Sequence, residues 1–452
     1  MEPDKTSLLD RFGNWLRTSV IVKLAFIGFA MLLLLIPASM IQSLVGERRQ
    51  TRDNVVAEVS DKWGSHQYVT GLVLSLPYTV VHKEGVEKRY FHILPDTIEL
   101  RGTLTPHVRH RSLYEVLLYN AQLAVTGNLT VPDLARHGIN PDAVLWAEAT
   151  VSVGISDLRG VKAPIVITCN GTKYETGPGT AVRGLMGTDG SVSAPINLKP
   201  GQPLVFSYDL NLNGSQRLYV SPVGKMTTVQ VSSSWASPSF SGHFLPESRT
   251  VTAQGFTATW RVLHLNRSIP QAFSTSQFEN RDRNYEQADG APSLNNVAFG
   301  VDFLPAIDGY QTTERSTKYG SMLVLLTFLT FFLVEVLGNR HFHPVQYLIV
   351  GISLVMFYLL LLSLCEYIPF GWAYLAGCVT IVGLVTYYAV YIFKDTRLTL
   401  TLLAVLMASY GFFYILLQLP DYALLIGTLG LLAVLAAVIV VTRKLDWYNL
   451  GR

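Results

Sequence analysis

The chain has 452 residues, of which 49% are hydrophobic and only 15% charged, and it carries a formal net charge of +3 with a mean hydropathy of +0.31. Soluble domains hold about 25% charged residues, so part of this chain belongs in lipid. A net charge this small and scattered argues against a nucleic-acid partner. Its three cysteines, Cys169, Cys365 and Cys378, give neither a disulfide framework nor metal-ligand spacing.

The segment 1–23 comes first. Leu8, Leu9, Phe12, Trp15 and Leu16 recur at helical spacing, with Asp10, Arg11, Asn14 and Arg17 on the other face. That pattern fits a short helix lying on the membrane surface, or a frayed extension of the first span. A membrane helix needs about 20 mostly apolar residues to cross about 30 Å of hydrocarbon. Six stretches qualify: Leu24–Val45, Tyr319–Leu337, Val345–Cys365, Gly371–Phe393, Leu398–Gln418 and Tyr422–Val441. The first contains Pro37, Ser39, Gln42 and Ser43 behind Lys23, an arrangement shared with signal peptides. Its apolar run continues past Pro37, however, and Ala38 is followed two residues on by Met40 rather than a small residue, which predicts an uncleaved anchor. From 319 to 441 the only charges are Glu335, Arg340, Glu366, Lys394, Asp395, Arg397 and Asp421.

Loop charge sets the orientation, because lysine and arginine collect on the cytoplasmic side. Arg340 follows the second span, Lys394 and Arg397 follow the fourth, and the tail 442–452 holds Arg443, Lys444 and Arg452. The N-terminal segment adds Lys5, Arg11, Arg17 and Lys23, whereas Glu366–Phe370 and Leu419–Asp421 contain no lysine or arginine. Six spans place all the basic segments on one face. Both termini are then cytoplasmic, with residues 46–318 on the far side.

That middle region is punctuated by turn signals, among them Asn170-Gly171, Gly177-Pro178-Gly179, Pro200-Gly201 and Asn213-Gly214. Short alternating runs lie between them. The pattern predicts a mostly antiparallel β domain inserted between the first and second helices, built as a sandwich or a strongly twisted sheet. Leu210 and Leu212 before Asn213-Gly214, with Leu218 and Val220 after, predict a hairpin turning at the Asn-Gly pair. Pro132–His137 and Asn140-Pro141-Asp142 predict short helical turns. Its length allows the region to divide, with Ser193–Gly201 as the place.

Site motifs are scarce. The chain has no H-E-x-x-H, G-x-S-x-G, Walker A or Rossmann fingerprint, and no cofactor or metal is predicted. His341 and His343 lack a third ligand and read as an interfacial turn before Pro344 opens the next helix. Asp157-Leu158-Arg159 reads as a turn-stabilising ion pair rather than a catalytic one. Tyr387, Tyr388 and Tyr391 fit an interfacial aromatic belt. Charge in hydrocarbon is costly and commonly functional, which singles out Glu335 and, secondarily, Glu366 at the far edge of the third span. Gly338-Asn339 ends the second span and Pro344 begins the third, so Glu335, Arg340 and His343 form the candidate inner-face cluster. Pairing of Glu335 with Arg340 either locks this hairpin or serves signalling or binding.

Longer motifs run through the whole chain: Gly71-Leu-Val-Leu-Ser-Leu-Pro77, Ser156-Asp-Leu-Arg-Gly160, Ser233-Ser-Trp-Ala-Ser-Pro-Ser-Phe-Ser-Gly242, Gly255-Phe-Thr-Ala-Thr-Trp260, His343-Pro-Val-Gln-Tyr-Leu-Ile-Val-Gly351 and Thr442-Arg-Lys-Leu-Asp-Trp-Tyr448. By these, from about Ser19 onward, it resembles the bacterial inner-membrane CreD family of cell-envelope integrity or colicin-tolerance proteins. The resemblance implies a multi-pass bacterial inner-membrane protein whose residues 46–318 are periplasmic. It also implies an association with a two-component regulon, envelope homeostasis, and the response to β-lactams and colicins. It supplies no catalytic residue. The expectation is a non-enzymatic protein of the lipid bilayer that supports envelope integrity, with a β domain that binds an unidentified envelope partner. The alternatives are a transporter with the one-plus-five layout of half a resistance-nodulation-division pump, and a membrane enzyme acting on envelope precursors. The pump depends on acids within the fourth helix, and Gly371–Phe393 has no charged residue.

Overall fold

The computed structural model describes residues 20–443 apart from 84, 181–185, 187–189, 276–293, 304–308, 338–341 and 420–421. The surface-helix stretch ahead of the first span, Arg340, His341, Asp421 and most of the C-terminal tail therefore lie outside the described residues. The chain forms two compact units, one of Met1–Arg52 with Ile307–Arg452 and one of Asp53–Ala306.

The helical unit holds α1 (Val20–Trp63) as far as Arg52, the rest of that helix belonging to the second unit, with α2 (Gly309–Lys318), α3 (Gly320–Leu337), α4 (Pro344–Cys365), α5 (Phe370–Phe393), α6 (Thr396–Gln418) and α7 (Ala423–Thr442). Five of the described helices are long and apolar enough to cross a membrane. The pair Thr312–Lys318 and Gly320–Val336, bent by 43°, makes a sixth if taken as one span. The apolar run of α1 ends at Val45, yet the helix continues to Trp63. Residues 47–63 contain no glycine or proline, so helix propensity carries the polar half once the apolar half is nucleated. A Lys62–Glu58 pair at 2.7 Å supports the last turns, and Gly64 at φ 139° stops them. Proline at position 37 leaves α1 unbroken. Within the bundle, buried Leu354, Phe357, Leu361, Ala373, Phe393 and Leu402 share one core, while α7 buries no residue. Close helix contact comes from an isolated glycine rather than a Gly-x-x-x-Gly pair. A Cβ on Gly351 of α4 would sit 2.2 Å from Leu34 of α1.

The second unit is built from two sheets. The first runs β13 (Pro238–Gly242), β17 (Phe299–Phe303), β11 (Arg217–Ser221), β1 (Gln67–His82), β5 (Ala149–Ile155), β9 (Ser191–Ile196) and β8 (Gly177–Pro178). From its far half, β1 also pairs with β2 (Gly85–Ile93), which takes β16 (Ala272–Ser274) on its other edge. The second runs β14 (Ser248–Thr252), β15 (Gly255–Leu263), β12 (Met226–Ser233), β3 (Thr97–Arg111), β4 (Tyr114–Leu129), β10 (Leu204–Ser215), β6 (Val166–Cys169) and β7 (Thr172–Glu175). Pairing is antiparallel except for β1 with β11 and β12 with β3, which are parallel. On β10, Leu204, Phe206, Tyr208, Leu210 and Leu212 are buried at alternate positions, the period of a strand with one covered face. They join Val69, Leu74, Val151 and Val301 of the other sheet in one core. The region therefore does not divide near Ser193–Gly201, because β9 lies inside the first sheet beside β5.

The hairpin expected at Asn213-Gly214 is absent. Strand β10 runs straight through, placing Asn213 opposite Asn120 and Gly214 opposite Tyr119 of β4. The chain instead changes sheets at Gln216 (φ 60°) and enters β11 between β1 and β17. Gly214 serves close approach rather than a turn, since a Cβ there would lie 2.3 Å from the Tyr119 hydroxyl. That hydroxyl donates to the Arg217 carbonyl at 2.7 Å. The two short helical turns do form, at Leu134–His137 capped by Asp133 and at Pro141–Ala143 capped by Asn140.

Candidate functional site

The α3–α4 hairpin buries a carboxylate. Glu335 lies near the end of α3 and is 3% exposed. Its partners include the Phe342 amide, which donates to Oε1 at 3.2 Å, and the Tyr347 hydroxyl, which donates to Oε2 at 2.8 Å. Tyr347 reaches it because Pro344 starts α4 and fixes the direction of the first turn. Aromatic rings close the site: Phe331 lies 6.0 Å from Tyr347, 6.2 Å from Phe342 and 5.4 Å from Phe393 between ring centres. Phe342 stacks on Phe393 at 5.2 Å. In such low-dielectric surroundings each hydrogen bond to the carboxylate is stronger than in water, and losing one costs more.

His343 is committed to the helix start. Its Nδ1 accepts from the Val345 amide at 3.3 Å, while its own amide donates to Gln346 Oε1 at 3.0 Å. It is an N-cap, with Gln346 closing the box from the other side. The structure thus joins Glu335 to Tyr347, a residue the sequence reading passed over, and places His343 in the adjoining cap. Among the described residues, no group of three His, Cys, Asp or Glu side chains is placed to hold a metal ion.

Glu366 caps the opposite end of α4. It lies 3.7 Å from Arg48 of α1, while Arg49 meets Glu314 of α2 at 3.0 Å and Lys318 shares the same carboxylate at 2.9 Å. The cations are about half exposed or more, and exposed pairs contribute about 0–1 kcal/mol each. The network fixes where the polar part of α1 lies against α2 and α4 more than it stabilises them.

The β unit contains a serine–histidine pair that the sequence did not announce. Ser75 and His92 face each other across the β1–β2 ladder, with Oγ to Nδ1 at 2.9 Å, and His92 Nε2 meets Thr275 Oγ1 at 2.9 Å. A nucleophile needs access, and both side chains are fully enclosed, so the pair is a satisfied core network. Burial pushes the His92 imidazole down to about 4. The unfolded chain, with histidine near 6.5, takes up the proton first. Stability from this group is therefore complete above about pH 6.5 and declines as pH falls toward 4, by about 3 kcal/mol in total. Unfolding followed by tryptophan fluorescence between pH 7 and 4.5 should show that decline in the parent and a flatter profile in His92→Gln; equal slopes would refute it.

The outward face of the second sheet carries a different surface. Arg101 and Thr103 of β3, Gln122 of β4, Asp209 and Asn211 of β10 and Gln230 of β12 line a shallow concavity of about 600 Å³, walled by Ala163-Pro164. The alternation that sends Leu100, Leu123, Leu210 and Val229 into the core puts these donors and acceptors outside. The arrangement can hydrogen-bond a polar ligand along several strands at once.

Residues 19–448 match the family described as Inner membrane protein CreD. The chain is 31% identical over 450 residues to Inner membrane protein CreD of Escherichia coli (strain K12), covering 96% of this chain and 95% of that one. Among solved structures, an M1 zinc metallopeptidase from Deinococcus radiodurans aligns at 13% identity and a TM-score of 0.19, covering 37% of this chain and 38% of that one. A mutant of the same enzyme aligns at 14% identity and a TM-score of 0.19, with the same coverage. The chain spans well under half the length of those structures, and so low a score carries no argument about fold or chemistry. The match along nearly the entire chain decides the matter: this protein belongs to the CreD family of inner membrane proteins.

Proposed function

We propose that this chain is a non-enzymatic protein that supports cell-envelope integrity, crossing the inner membrane six times with both termini in the cytoplasm. In this reading the β domain faces the periplasm and binds an envelope partner. The observation that carries it is the polar concavity on the second sheet, where side chains from β3, β4, β10 and β12 converge without an activated nucleophile among them. The enclosure of the Ser75–His92 pair and the absence of charge from Gly371–Phe393 weigh against the enzyme and the pump.

The test has two parts. Alkaline phosphatase fused after Asn140 should be active and after Lys394 inactive; activity at Lys394 would overturn the orientation. A photo-crosslinking residue at Gln122 or Gln230 should then capture an envelope component in cells, whereas one at Lys173, on the β7 edge, should not. Equal capture at all three positions would remove the concavity from the proposal. The identity of the captured component, glycan, protein or lipid, defines the partner.

A further inference from the structure

The helical unit leaves a groove between α1 and the place where α2 meets α3. Its volume is about 200 Å³ and its lining is overwhelmingly apolar. Gly28, Ala38 and Ile41 mark its course along α1, with Gly320, Ser321 and Tyr358 on the opposite wall. At 1.5 Å per residue, the stretch from Gly28 to Ile41 is about 20 Å long. The 43° bend between α2 and α3 shapes the far wall at one end, where Gly320 lets the Tyr358 ring approach to 3.0 Å of the place its Cβ would take. The groove is open to whatever surrounds α1, since Leu32 and Ile36 beside it are 65% and 60% exposed.

We propose that this groove binds one acyl chain of a bilayer phospholipid, with the ester end of the lipid at the α2–α3 bend. Size excludes a helix: a helical segment of this length with a diameter of 10–12 Å occupies roughly 1,600–2,300 Å³. Neither a second copy of the chain nor a partner's span enters a slot of this volume. Water is a poor occupant, because cavities with apolar walls stay dry and take hydrocarbon instead. The length exceeds the roughly 15 Å of hydrocarbon in one leaflet, so a single extended chain lies along the groove with one side against its wall and the other against the surrounding lipid.

The polar features sit at one end. The Ser321 hydroxyl lines the groove beside the bend, and just outside it Arg49 and Lys318 share the single carboxylate of Glu314. Two cations on one anion leave positive charge where a lipid phosphate would lie. Bound in this way, a lipid would fill the space left open beside α1.

The full-length chain, placed in vesicles of phosphatidylethanolamine and phosphatidylglycerol containing a phosphatidylglycerol with a diazirine on its acyl chain, tests this. After irradiation and digestion, label is counted per residue. Helix α7 is the reference for ordinary lipid contact, because it buries nothing. Residues 28–41 and 317–324 should label well above α7, because a chain held in the groove stays beside them while lipid along α7 exchanges freely. Since both places are hydrocarbon, the excess reports packing and head-group contacts rather than removal from water. Gly28→Leu should bring them back to the α7 level, and it grows into open space, with no atom within 4 Å of its Cβ. Labelling at the α7 level in the unaltered chain overturns the proposal, as does labelling that Gly28→Leu leaves undiminished. Should Gly28→Leu fail to insert, the map of the unaltered chain decides alone.

Discussion

Glu335→Ala is expected to remove most of the folded protein from the membrane, and Tyr347→Phe to reproduce much of that loss. The carboxylate is 3% exposed and ties the end of α3 to the segment that opens α4, through the Phe342 amide and the Tyr347 hydroxyl. Alanine strands both donors in a nearly dry aromatic pocket, at about 1–3 kcal/mol each, and leaves a cavity as well. A total of about 3–5 kcal/mol exceeds what a marginally stable fold tolerates without losing abundance. Tyr347→Phe leaves the carboxylate one donor short, at about 1.5–3 kcal/mol for a hydrogen bond to a charged group. Glu335→Gln keeps one acceptor oxygen and should fall between them. Membrane abundance and sensitivity to a β-lactam or colicin, read on the same strains, separate the roles. Reduced abundance in the order Ala, Gln, Phe marks a lock on the hairpin. Normal abundance with a lost phenotype would make the site one of signalling or binding. Normal values of both would refute either role. Arg340→Gln on the same scale tests whether that cation contributes to the cluster.

The apolar stretches were legible because lipid allows few solutions. Four of the six predicted runs lie wholly within α1, α4, α5 and α6, and the runs from Tyr319 and Tyr422 each begin one residue ahead of α3 and α7. The signal stops where lipid stops. Residues 47–63 carry only Val55, Val56, Val59 and Trp63 as large apolar side chains, too few to mark a span, so their helicity shows mainly as an absence of breakers, and the bend before Gly320 has no sequence mark beyond that glycine. Asn213-Gly214 misled because the pair has two physical uses. It turns a hairpin when both residues take positive φ, and it also admits a large side chain at close quarters; Tyr119, far away in sequence, selects the second. The same non-locality hid the parallel pairs β1–β11 and β12–β3 and the Ser75–His92 contact, which depend on ladder register rather than on any local pattern. His343 was readable as part of a helix start from Pro344. Tyr347 was not, because a tyrosine early in an apolar helix looks like an interfacial anchor until the neighbouring helix brings a carboxylate to it.

In the β unit the largest expected effect belongs to Asp157→Ala. Asp157 is 7% exposed and caps the turn Leu158–Gly160 by accepting from the Arg159 amide at 3.0 Å. The same carboxylate accepts from the Arg159 guanidinium at 2.9 and 3.0 Å, and from the Ser65 amide and hydroxyl at 2.9 Å each. Ser65 lies in the short link between α1 and β1, and Gln67 at the start of β1 donates to the Asp157 carbonyl at 3.1 Å. The carboxylate thus ties the link after the long helix to the turn after β5, while the main-chain carbonyl of the same residue holds the start of the first strand. Burial alone would raise its carboxyl, but hydrogen bonds from Arg159 and Ser65 outweigh it and hold the group well below the usual carboxylate range. With the folded value depressed, the contribution is complete above about pH 5 and is lost as pH falls below about 4. Alanine leaves buried donors unmet and should cost about 3–5 kcal/mol. For a unit of this size that lowers the thermal midpoint by roughly 10 °C. Asp157→Asn keeps an acceptor and should lose about half as much. Arg159→Ala should lose least, because its side chain is 60% exposed and such pairs contribute about 1 kcal/mol or less. A catalytic pair would behave differently, with both partners indispensable to activity and neither to stability. Thermal unfolding of the three variants, followed by fluorescence of Trp63 beside the link, gives the order. A midpoint for Asp157→Ala within two or three degrees (roughly 1 kcal/mol) of the parent would show that the joint is held by something else.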